Sequence, residues 1–187
     1  MISTFTAFID ANVFYGARLR SLVLFAAQTK LYRARWTERV NDEWIDAVVK
    51  KAKKPSVTKE ALQLTRLAMN EAIMDSLIEN YEHLEEGLKL PDPKDNHVLA
   101  AAIHGHASTI VTFNLKDFPD DYLSKFKIHA THPDQFLIDA FYISPDHFIE
   151  AVMQDFQHYK QPPLTFSEYI QSLKTAGLPR FCPSLKF

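Results

Sequence analysis

The chain has 187 residues, 47% hydrophobic and 24% charged, which suits one globular core, with or without a tail, and excludes a disordered or fibrous chain. Its formal net charge of −2 gives no global attraction for nucleic acid, and its single cysteine, Cys182, excludes an internal disulfide framework and a cysteine-based zinc site. No apolar run approaches the roughly 20 residues that span a bilayer, and the opening Met1-Ile2-Ser3-Thr4 lacks the basic start of a signal peptide, so a cytoplasmic protein without a membrane anchor is expected.

Phe5 to Ile9 reads as a buried strand that stops at a carboxylate, Asp10. Open α/β sheets bind their ligands at such strand ends, although an Asp there also serves as the N-cap of the next helix. From Asn12, the residues Val13, Phe14, Leu19, Leu22, Val23, Phe25 and Ala26 fit a helix reaching about Thr29. Between Ala11 and Thr37 there is no acid, but Arg18, Arg20, Lys30, Arg33 and Arg35 all occur. That stretch is either a path for a polyanion or a solvated basic face. Leu31 to Arg35 alternates apolar and basic residues, the pattern of a short half-exposed strand. Thr37 then caps a helix whose stripe of Trp36, Val40, Trp44, Ala47 and Val48 runs to the Lys50–Pro55 stop. Glu43 falls within that stripe and so points toward the core or its edge; the alternative is a margin position that snorkels to water or caps a neighbour.

Ser56 or Thr58 opens a further helix carried by Leu62, Leu64, Leu67, Ala68, Ile73, Met74, Leu77 and Ile78 to about Asn80, and the acidic Tyr81–Leu90 reads as loop. Asp92 before Pro93 has the spacing of an N-cap, and Asp95 stands at the third position of the helix that follows, an Ala-rich run ended by Gly105. Ser108 to Phe113 is a compact strand ending in the polar Asn114–Pro119, and Lys127 to Ala130 is the last strand. Residues 1–132 thus describe a three-layer α/β/α domain with a central, mostly parallel sheet. Beyond it, residues 133–187 read as a helical extension: helices over Pro133–Phe141, Pro145–Tyr159 and Phe166–Ala176, with Gln161-Pro162-Pro163 as linker. Its aromatic spacing suits packing on the core or on a partner.

Asp10 at the end of the first strand, Glu43 on an inward helix face and Asp95 at the start of a helix beside the sheet share one address, with Asn114 and Asp117 at the end of a neighbouring parallel strand. Carboxylates gathered without a basic partner raise one another's pKa, and a divalent cation relieves that cost. An oxygen-only donor set favours Mg²⁺ or Mn²⁺, metals that serve phosphate chemistry. His104 and His106 flank the helix-ending Gly105 and read as structural, and His97 reads as a packed or surface residue rather than a ligand.

These stretches resemble the PIN (PilT N-terminus) domain, in particular the VapC-like toxins of toxin-antitoxin pairs. The resemblance runs from about Phe5 to His132 and rests on four segments in order: Phe8-Ile9-Asp10-Ala11-Asn12-Val13, Trp36 to Glu43, Asp95 to Ala102, and Val111 to Phe118. The part after Pro133 is similar to the extension of a longer subgroup. The resemblance implies a PIN-like fold and an endoribonuclease in which Asp10, Glu43 and Asp95 bind Mg²⁺ or Mn²⁺ and position a water against an RNA phosphodiester. Thr112 would offer its hydroxyl to the water shell. Asn114 stands where the family often has a fourth acid, which puts a second metal site in question unless Asp117 substitutes. Asp92 is read as a cap first and a supporting group second. Asn12, Arg18, Arg33 and Arg35 are the candidates for contact with RNA, and a homodimer and a cognate antitoxin that blocks the acids are the implied partners. Set against this are a degenerate PIN domain that binds RNA or protein without cutting, a phosphatase of the haloacid-dehalogenase type, which would want a second Asp where Asn12 stands, and a receiver domain, which has no role for Glu43 or Asp95.

Overall fold

The computed structural model describes residues 5–160 and 163–185, so the Met1–Thr4 start and the linker residues Gln161 and Pro162 lie outside the described residues. Strand β1 (Thr6–Ile9) is followed by helices α1 (Ala11–Phe14) and α2 (Ala17–Gln28), and then by strand β2 (Arg33–Arg35). Helices α3 (Glu38–Lys51), α4 (Lys59–Ala72) and α5 (Asn96–His104) lead to strand β3 (Thr109–Val111). A short helix α6 (Asp120–Leu123) connects to strand β4 (His129–Thr131), and α7 (Pro133–Ile143), α8 (Pro145–His158) and α9 (Phe166–Thr175) follow.

The four strands form one all-parallel sheet in the order β2-β1-β3-β4, with Ala7 paired to Ala34 on one side and to Thr109 on the other. Ala7, Phe8 and Ile9 have no exposed surface, as a strand covered on both faces requires. Helix α2 packs against β2 and α5 against β1 and β3, which gives the three layers. The small residues Ala100, Ala101 and Ala102 are fully buried, so α5 lies close to the sheet. Gly105 ends it where a side chain would run into Ile78.

From β1 the chain goes out to β2 on one flank and returns past β1 to β3 on the other. The order therefore reverses between β1 and β3, and the crevice at their carboxyl ends is where such sheets bind ligands. Asp10 and Thr112 are the residues that follow those two strands.

Two expected helices are shorter than their periodicity. The run from Asn12 is broken at Gly16, whose extended backbone starts α2 afresh, and Arg20 donates to the Phe14 carbonyl (2.6 Å) left free at the break. Helix α4 ends at Ala72 rather than Asn80 because the next residues pair with β2's continuation: Trp36 N–H donates to Ser76 O (2.9 Å) and Ile78 N–H to Trp36 O (2.8 Å). That pairing buries Ile73, Ser76 and Ile78, and Asp75 and Asn80 take left-handed backbone at the turns on either side. The acidic segment after Tyr81 is a 3₁₀ turn, Glu82–Gly87.

The C-terminal helices return to the same body. Helix α8 lies along α2, where buried Asp155 accepts from Ser21 Oγ (2.5 Å) and Tyr169 Oη (2.6 Å). Buried Asp134 accepts from the backbone N–H groups of Arg180 (3.0 Å) and Phe181 (2.8 Å), and Gly177, at φ +104°, sits against the Phe113 ring. Among the described residues no helix is long and apolar enough to cross a membrane.

Candidate active site

Asp10 does both things that its position allows. Its Oδ1 accepts from Ala11 N–H (2.7 Å), capping α1, while Oδ2 accepts from Thr112 Oγ1 (2.7 Å) and Asn12 Nδ2 (2.5 Å). Thr112 in turn accepts from Asn12 Nδ2 (2.9 Å) and from Asn114 N–H (3.0 Å), and Asn12 Oδ1 accepts from Phe113 N–H (3.1 Å). The ends of β1 and β3 are thus tied by a polar net that fixes the carboxylate while leaving Oδ1 with free acceptor capacity. Asp10 is 8% exposed, and burial, opposed by these hydrogen bonds, raises its pKa above the ordinary carboxylate value.

Helices α3 and α5 bring the other acids over this strand end. Glu43, half-exposed on α3, is held at Oε1 by His97 Nε2 (3.1 Å) from α5 and by Arg39 Nε (3.4 Å) one turn earlier on α3. Asp95, immediately before α5, is partly buried, and desolvation followed by the charges of Asp10, Asp92 and Asp117 pushes its pKa up to about 6. Those couplings place Asp10, Asp95, Asp92 and Asp117 in one field, and Asp10 also feels Glu43. The acids predicted from sequence share one pocket electrostatically, yet among the described residues no three His, Cys, Asp or Glu side chains are set as a metal-binding group. Asp92 caps the Pro93–Asp95 turn through Lys94 N–H (2.9 Å), and Asp117 closes the Leu115–Asp117 turn. Asn114 is exposed at the start of that turn.

The residues predicted to touch RNA are placed otherwise. Asn12 has both ends of its amide committed to the net around Asp10. The Arg18 guanidinium lies over the Tyr159 ring, 3.5 Å from its centroid, against the C-terminal helices. Arg33 and Arg35 lie on the edge strand β2 and line, with Lys30 and Asp75, a separate groove of about 370 Å³. The charges acting on Asp10 and Asp95 include none of these three arginines.

Two neighbours of the acids were not picked out by sequence. Tyr15 is exposed at the rim, its hydroxyl pKa raised by desolvation and then by Asp10, Glu43 and Asp95. His97 is 1% exposed, with Nε2 3.1 Å from Glu43 Oε1; its only signal was an imidazole inside a run of small buried residues, two positions after Asp95.

A divalent cation fits this pocket in donor chemistry. Every acid in it offers oxygen, and after desolvation the neighbouring carboxylates add to the raised pKa values of Asp10 and Asp95.

Comparison with known proteins agrees with this geometry. The family model described as PIN domain matches residues 6–116, and one described as VapC50 C-terminal domain matches residues 133–186. The chain is 41% identical over 80 residues to a Mycobacterium tuberculosis (strain ATCC 25618 / H37Rv) protein named "Putative ribonuclease VapC50". That match covers 43% of this chain and 47% of the relative, so the similarity spans about half of the curated relative's length. No solved structure matches. With more than half of its length matched in sequence, and with the parallel sheet and strand-end acids in place, the chain belongs to the PIN domain family.

Proposed function

We propose that this protein is an endoribonuclease dependent on Mg²⁺ or Mn²⁺, and that it acts in the cytoplasm as the toxin of a toxin-antitoxin module. The observation that carries the reading is the gathering of carboxylates at the topological switch point, Asp10 from β1, Glu43 from α3 and Asp95 before α5, where desolvation and then the charges of Asp10, Asp92 and Asp117 lift Asp95 to about 6. The relative named as a ribonuclease supports the substrate class.

In this reading Asp10, Glu43 and Asp95 hold the cation, with Asp117 at the edge of the same field. The cation supplies neutralisation of phosphoryl charge and a lower pKa for attacking water. The chain's own part is positional. Thr112 and Asn12 donate to Asp10 Oδ2 and so fix the carboxylate at the ends of β1 and β3. A bound cation would favour the ionised form of Asp95, whose pKa is otherwise raised. Tyr15 at the rim offers a ring face on which an unpaired base can stack. A cognate antitoxin would cover the acids with a basic side chain, and a homodimer is the proposed assembly.

Induced expression tests the reading. Growth arrest with RNA cleavage that disappears in Asp10→Asn supports the nuclease. Arrest that persists in the mutant indicates a PIN domain acting by binding alone, the outcome that Asn114 in the fourth-acid position would favour.

A further inference from the structure

We infer that His97 is a positioning residue for Glu43: its ring, with Nε2 3.1 Å from Glu43 Oε1, holds that carboxylate at the acid cluster for a divalent cation. The inference rests on the metal reading of the acid pocket and names a residue that this reading does not otherwise use.

Glu43 stands half-exposed on α3, where a glutamate left alone spreads over several rotamers in water. Two groups hold it, both at Oε1, and they come from different places. Arg39 belongs to the same helix, is exposed, and also reaches Glu85 (3.3 Å), so it holds Glu43 along the helix surface. His97 is buried in the first turn of α5, two residues after Asp95, so its 3.1 Å contact is the one that ties the acid of α3 to the acid of α5. Among the described residues Glu43 Oε2 takes no hydrogen bond, which leaves it for a ligand.

The ring's other nitrogen shows that His97 is not there for shape. Nδ1 is buried and has no hydrogen-bond partner. A proton on Nε2 faces the carboxylate 3.1 Å away and leaves Nδ1 bare; a proton on Nδ1 alone would bury an unpaired N–H and set a lone pair against Glu43. An aliphatic side chain would fill the same space without burying an orphaned polar atom. The imidazole is explained by its close contact with the Glu43 carboxylate. Partners of this kind, which orient a metal's ligand, typically set metal affinity by about 10- to 100-fold.

The test is calorimetric titration of Mn²⁺ into the purified full chain, with melting curves for each variant. Asp10→Asn is the control for the metal reading, and it should abolish tight binding. His97→Asn, which moves the amide toward the Nδ1 position, should weaken Mn²⁺ by about 10-fold or more, whereas His97→Gln, whose amide can reach the Nε2 position, should recover most of it. In a Glu43→Gln background, His97→Asn should cause no further loss, because it acts through Glu43. Normal Mn²⁺ affinity in H97N, or a loss that adds in full to that of E43Q, overturns the role of His97 while leaving the metal site standing. Wild type and D10N that bind Mn²⁺ alike overturn the metal reading, and this inference with it.

Discussion

Asp155 is one point at which the C-terminal helices are fastened to the PIN part, and its removal should be felt across the whole fold. The side chain is fully buried on α8 and accepts from Ser21 on α2 (2.5 Å) and from Tyr169 on α9 (2.6 Å). Asp155→Ala removes both acceptors at once. A buried hydroxyl left without a partner costs about 1–3 kcal/mol; Tyr169, with no exposed surface, meets that cost in full, and half-buried Ser21 meets part of it by reaching water. Some is returned, because burial already pushes the Asp155 carboxyl above its usual range. The net expectation is a loss of about 2–3 kcal/mol, against about 1 kcal/mol or less for Asp155→Asn, whose amide can still serve both hydroxyls. Urea denaturation followed by tryptophan fluorescence is the assay. Trp36 and Trp44 are both buried beside β2 and in α3, far in sequence from the mutated helix. If the two parts form one cooperative unit, the tryptophan signal moves with the mutation and coincides with far-ultraviolet circular dichroism. A tryptophan midpoint that stays put while helix content is lost earlier would refute the reasoning.

Asp95→Asn should stabilise the chelated protein at pH 7 while abolishing cleavage. The folded pKa of about 6 lies above the ordinary 3.8, so the native state holds this proton more tightly than the unfolded chain, and stability falls as pH rises from about 4 to 6. Discounted for partial exposure, the gain is about 1–2 kcal/mol at pH 7, vanishing below pH 4, and thermal melts across that range would show it. Thr112→Val keeps the side chain's shape but removes the donor to Asp10 and the acceptor for Asn12 and Asn114; it should cost about 1–3 kcal/mol and lower Mn²⁺-dependent cleavage about tenfold, read by melting and a cleavage time course. Gly177→Ala places a Cβ about 3.0 Å from the Phe113 ring at φ +104°, so melting should register a loss of about 1–3 kcal/mol.

The elements that position the site were legible because they carry strong local signals. An apolar run stopping at Asp10, a Thr37 cap before a Trp-rich stripe, and an Ala run closed by Gly105 each have one structural solution, and the structure adopts it. What failed was local periodicity against tertiary demand. Leu77 and Ile78 continue a helical pattern, yet pairing with Trp36 draws them into extended backbone. Charge alone could not show that the Arg18 guanidinium stacks on Tyr159, more than a hundred residues later. His97 was passed over because one histidine in an apolar helix gives no hint of the glutamate on another helix that it will meet.

The most direct test of the central claim is cleavage of end-labelled single-stranded RNA by the purified protein. Cleavage is expected with Mn²⁺ or Mg²⁺, none after chelation, and none by a folded Asp10→Asn variant in the presence of metal. Cleavage that survives chelation, or that survives the loss of the Asp10 carboxylate, would contradict that claim.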